Sequence, residues 1–132
     1  MTIIANATPS LFAPVGLAFD ASGGLWVANY TSNTVVRYDA AQLSSGSPTP
    51  AATITSGSFA GAGHPVGLAF DSSGALWVAS KAAHDLRRFT NPSALSGSLT
   101  PTPDTIISSV PTTDAMLLAF SPPANGVPIN TP

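Results

Sequence analysis

The chain has 132 residues, 8% of them charged, and a formal net charge of −2. Its 4 Lys and Arg residues are too few to neutralise a phosphate backbone, so nucleic acid is not expected as a partner. Cysteine is absent, which removes disulfides and thiolate metal sites, and no apolar run approaches the ~18 residues of a membrane span.

Short strand-like runs follow one another from the first residue. Residues 1–4 (MTII) open the chain. Residues 16–19 (GLAF) and 25–30 (LWVANY) are apolar and rich in β-formers, and between them 20–24 (DASGG) has the composition of a tight turn. Asp and Ser there bond their own backbone, and Gly accepts a positive φ. A third run, 34–38 (TVVRY), follows the turn 31–33, and a fourth, 52–55 (ATIT), follows the loop 42–50. Residues 40–43 and 92–95 are each expected to form a single helical turn.

The pattern then recurs. Residues 14–28 read PVGLAFDASGGLWVA and residues 65–79 read PVGLAFDSSGALWVA, a spacing of 51 with differences only at Ala21/Ser72 and Gly24/Ala75. Copy two continues with strands expected at 67–70, 76–80, 85–89 and 104–108. The loops before the two fourth strands share a Pro-Thr-Pro segment, at 48–50 and 101–103. Proline cannot donate to a ladder, so these segments belong outside the sheets or at an edge. Four antiparallel strands per repeat of about 40 to 50 residues make one β-propeller blade. The expected fold class is therefore all-β, with almost no helix.

Both chain ends fall in phase with the repeat. Residues 1–7 read as an orphan fourth strand, 14–57 as blade 1, 65–109 as blade 2, and 115–130 as a truncated third blade whose LLAF (117–120) matches GLAF (67–70). Propellers close with at least about four blades. Three inner strands in one chain therefore predict a homo-oligomer that completes the ring, a dimer with six inner strands being favoured. The N-terminus lacks the basic and long apolar regions of a secretory signal, and the compartment stays open.

The motif Pro-x-Gly-Leu-Ala-Phe-Asp-x-Ser-Gly-x-Leu-Trp-Val-Ala-Asn, carried by residues 14–29, resembles NHL-type repeats. More broadly it resembles the six-bladed propellers that include streptogramin-lyase-like and gluconolactonase-like proteins. That resemblance implies a propeller whose GLAF strands line a central channel. Its members range from lactonases and lyases to protein-binding scaffolds. The enzymes use channel carboxylates, often with calcium, or a His paired with a Glu. This chain has no Glu and only His64 and His84.

Asp20 and Asp71 are expected to cap their turns rather than bind metal, and Trp26 and Trp77 to pack between blades. Arg37, Arg87 and Arg88 read as the exposed polar face of the third strands. The positions that differ between copies are the binding-rim candidates: Asn29, Tyr30 and Asn33 in copy one, Lys81, His84 and Asp85 in copy two, and His64 in the loop entering the second inner strand. Such loop variation on a constant frame is where repeat proteins carry function. The expected function is a non-enzymatic binding or assembly module, with no cofactor, no catalytic or metal-ligating residue, and a protein or small molecule at the channel rim. The alternative is a metal-dependent lactonase- or lyase-like enzyme using Asn29 and His64.

Overall fold

The computed structural model describes residues 11–59 and 63–108. The orphan strand expected at 1–7 and the truncated blade at 115–130 lie outside them. Within the described residues the chain forms two sheets. The first holds β1 (Pro14–Phe19), β2 (Leu25–Asn29), β3 (Thr34–Tyr38) and β4 (Ala52–Ile54). The second holds β5 (Pro65–Phe70), β6 (Leu76–Ser80) and β7 (Asp85–Phe89), and its outermost member is β9 (Thr105–Ile107). Each sheet is the expected antiparallel series of four strands. No helix is long and apolar enough to cross a membrane among the described residues.

Side-chain alternation along the strands gives each sheet two faces. In blade 1 one face carries Trp26, Ala28, Val35 and Ile54, and these pack against Leu68, Leu76, Val78 and Phe89 of blade 2. Trp26 meets Phe70 edge to face at 6.1 Å, and Phe59 meets Phe89 likewise at 6.0 Å. The inner strands β1 and β5 lie side by side. Gly16 makes that approach possible, because a Cβ there would collide with the Val66 carbonyl. The tight turns need glycine as well: Gly23 and Gly74 sit at φ 82° and 81°, a region that a Cβ disfavours.

Short 3-10 turns form at Ala40–Ser44 and Pro92–Ala94, as expected, and a further one at Ser56–Phe59. One strand was not expected. β8 (Gly97–Leu99) leaves blade 2 and pairs in parallel with β4, giving blade 1 a fifth, outermost strand. Gly97 N–H donates to the Ala51 carbonyl and Thr55 N–H to the Leu99 carbonyl, while the Thr55 and Thr100 hydroxyls bond each other at 2.6 Å. The loop before the fourth strand of one blade thus straps the edge of the blade before it.

Candidate functional site

Each blade carries the same polar latch. Asp20 Oδ1 accepts from the Ser22 and Gly24 backbone N–H groups and from the Ser22 hydroxyl. Its Oδ2 accepts from Trp26 Nε1 at 3.0 Å and Arg37 Nε at 2.8 Å. In blade 2, Asp71 accepts from Ser73, Ala75, Trp77 Nε1 at 2.9 Å and Arg88 Nε at 3.1 Å. Turn capping was legible from the Asp-x-Ser-Gly motif. The Trp and Arg bonds arise from strand pairing, which sets Trp26 opposite Arg37 and Trp77 opposite Arg88.

Burial alone would raise the Asp20 carboxyl. The hydrogen bonds from Ser22, Arg37, Trp26 and Gly24 outweigh it and hold the group far below the usual carboxylate range. Asp71 behaves alike: burial raises it, and Ser73, Trp77, Arg88 and the Ala75 N–H bring it far down.

The third-strand arginines depart from the expected exposed face. Arg37 and Arg87 are each only 8% exposed. Arg37 also pairs with Asp39, and Arg88 with Asp104 at 2.6 Å. Arg87 reaches Asp85 at 2.7 Å and donates Nη1 to the Ser58 carbonyl in the 3-10 turn Ser56–Phe59 that follows β4. A cation placed at a blade interface needs such partners to offset its lost hydration. Asp85 and Arg87 stand two apart on one strand, hence on one face, and that spacing of opposite charges was a readable signal.

Several rim candidates gather at one end of the blade interface. The Asn33 side chain accepts from His64 N–H at 2.7 Å. His64 stacks on Tyr30, ring centroids 4.4 Å apart and 16° from parallel. Its Nδ1 lies 3.0 Å from the Tyr30 carbonyl, a bond that needs the proton on Nδ1 and leaves the acceptor lone pair on Nε2. These residues staple the turn after β2 to the loop entering β5. Asn29 and Asn33 are buried rather than lining an open rim, and so is Asp85 beside Arg87. Tyr30, His64 and Lys81 are half-buried and His84 is exposed. Asn29 Oδ1 and the Ser80 hydroxyl, at matching positions of the two copies, are buried with no hydrogen-bond partner among the described residues.

The described residues also line surface hollows. One, of about 460 Å³, lies between the two Asp-x-Ser-Gly turns and is lined by Asp20, Ser22, Asp71, Ser73 and Asn91 among others; its two carboxylates are already engaged by the latches. Another, of about 410 Å³, is apolar and lies on blade 1 against Leu17, Leu25, Val27 and Tyr38. No group of three or more His, Asp or Glu residues could hold a metal ion among the described residues.

No family model matches the chain, and no curated protein matches it. Solved structures do. A streptogramin B lyase structure is similar at 20% identity and a TM-score of 0.45, over 59% of this chain and 23% of that one. The virginiamycin B lyase of Staphylococcus aureus, as its selenomethionine derivative, is similar at 21% identity and a TM-score of 0.50, over 75% of this chain and 31% of that one. The fold is that of propeller blades. The chain spans less than a third of the length of either structure.

Proposed function

We propose that the chain is a non-catalytic propeller module that works by association, supplying blades to a ring completed by further copies, with a protein or small-molecule ligand at the channel rim. What carries this reading is where the charge is spent. Asp20, Asp39, Asp71, Asp85 and Asp104 each pair with a third-strand arginine. A general acid or base works best with a pKa near the operating pH, and Asp20 and Asp71 are driven the other way. The repeat supports NHL-like blades, and two chains with three inner strands each would give a six-bladed dimer. If association completes the fold, the melting temperature rises with chain concentration. A melting temperature unchanged over a hundredfold concentration range would contradict the reading.

A second reading is favoured by the similar solved propeller being named a virginiamycin B lyase. In it the chain is a metal-dependent lyase- or lactonase-like enzyme, with Asn29 and His64 facing a divalent ion. The Asn29 Oδ1, without a partner among the described residues, supports it. Calcium-dependent stabilisation, together with turnover of virginiamycin B or a lactone that His64→Ala abolishes, would establish this reading over the first.

A further inference from the structure

The two Asp-x-Ser-Gly turns stand at the end of the blades away from the Tyr30–His64 stack. Together with the turn that follows β7, at Asn91–Ser93, they line the hollow of about 460 Å³, a size usual for small-molecule sites. Both repeats of one chain form it, so it exists without association.

The charge at this hollow is already committed. Asp20 accepts three hydrogen bonds at Oδ1 and two at Oδ2, and Asp71 accepts the same set within its own repeat. A carboxylate offers about four lone-pair sites, so neither group keeps an acceptor for a cation. An anion would face both carboxylates. The Ser22 and Ser73 hydroxyls are spent as well, each donating to its aspartate and accepting from Arg37 or Arg88. The hollow therefore suits an uncharged ligand.

The second repeat adds polar groups here that the first repeat lacks or uses elsewhere. Ser72 stands where the first repeat has Ala21. Counted from the caps of the two 3-10 turns, Asn91 matches Asp39 and Ser93 matches Ala41. Asp39 pairs with Arg37, and its N–H donates to the Gln42 side chain. Ala94 takes the place of that glutamine, and the Asn91 side chain makes no cap bond. The side chains of Ser72, Asn91 and Ser93 are exposed and make no hydrogen bond among the described residues. Beside them the wall is apolar: Pro92, and Phe70 with its ring held edge to face by Trp26.

We propose that this hollow binds a neutral sugar ring. A sugar presents an apolar C–H face and a rim of hydroxyls, each both donor and acceptor. The fixed Phe70 ring supplies the apolar surface. The Ser72 and Ser93 hydroxyls and the Asn91 amide each donate and accept. Asp20 and Asp71 hold the two turns in place and leave the ligand no free charge to meet. The proposal goes beyond the association reading and does not depend on it.

Backbone amide shifts of the full chain, titrated with glucose, galactose and mannose, test it. Saturable shifts confined to residues 20–24, 70–75 and 90–93 are expected with at least one of these sugars, at a Kd of about 1 mM. The double variant Ser72→Ala/Ser93→Ala is expected to weaken that binding about tenfold or more with an unchanged melting temperature, because both sites are exposed and both have alanine in the first repeat. Glucosamine, the cationic analogue, is expected to bind no more tightly than glucose. No saturable shift with any of the sugars, shifts centred elsewhere on the chain, or a double variant that binds like the unaltered chain would each overturn the proposal. Tighter binding of glucosamine would overturn it too, since the carboxylates would then carry the contact. None of these readouts involves self-association, so their failure leaves the association reading standing.

Discussion

Trp26 donates its indole N–H to Asp20 at 3.0 Å, and 51 residues later Trp77 donates to Asp71 at 2.9 Å. The same carboxylate oxygens also hold Arg37 and Arg88. One aspartate thus ties the inner turn, the second strand and the third strand of its blade. The repeated Asp-x-Ser-Gly motif is a cross-strand latch as well as a turn.

The two latches differ in burial, which ranks their contributions. The Asp20 and Arg37 side chains are 6% and 10% exposed, those of Asp71 and Arg88 19% and 22%. Removing one member of a buried pair leaves the other poorly compensated. Asp20→Asn is therefore expected to destabilise the chain by about 2–4 kcal/mol, and Asp71→Asn by clearly less. Urea denaturation of both variants checks the order.

The latches also set an acid limit. Both carboxyls bind protons more weakly when folded than at their ordinary value of 3.8. The unfolded chain therefore takes up protons first as pH falls. The stabilisation is fully present above about pH 5 and is lost progressively below pH 4, toward the depressed folded values. Thermal melts from pH 7 to pH 2.5 should show this fall, and the double variant Asp20→Asn/Asp71→Asn should flatten it.

Gly16 governs how closely the inner strands approach. Gly16→Ala sets a methyl group into the Val66 carbonyl, and backbone cannot yield as a side-chain tip does. A loss of about 2 kcal/mol or more is expected. Gly46→Ala, where nothing lies within 4 Å of the added methyl, is the control and should be near neutral.

Backbone strain offers a stabilising change. His84 sits at φ 50°, and its counterpart Asn33 at 58°. Asparagine tolerates the left-handed region better than histidine does. His84→Asn, at an exposed position, is expected to add up to about 1 kcal/mol, read as a raised urea midpoint with an unchanged slope.

The blade frame was legible because it is local: GLAF, LWVA and the Asp-x-Ser-Gly turn carry their own periodicity and turn chemistry. The features that escaped are those that need register. Arg37 looks solvent-facing until strand pairing sets it across from Trp26, above Asp20. Asn33 and His64 are 31 residues apart and meet only when blade 2 packs on blade 1. Strand β8 escaped for a similar reason: Gly-Ser-Leu has little strand signal, and the edge of β4 recruits it. The rim candidates are positions that vary between copies. Asn33, bonded to the His64 N–H, and Asp85, paired with the Arg87 that reaches the Ser58 carbonyl, are copy-specific contacts between repeats, which in sequence look the same as a variable loop.

In the proposed assembly one chain supplies blades and several chains supply the ring. Sedimentation equilibrium across a wide concentration range tests it most directly. A particle of at least two 13.2 kDa chains is expected at high concentration, dissociating with loss of fold on dilution. A folded particle of single-chain mass throughout that range would contradict it.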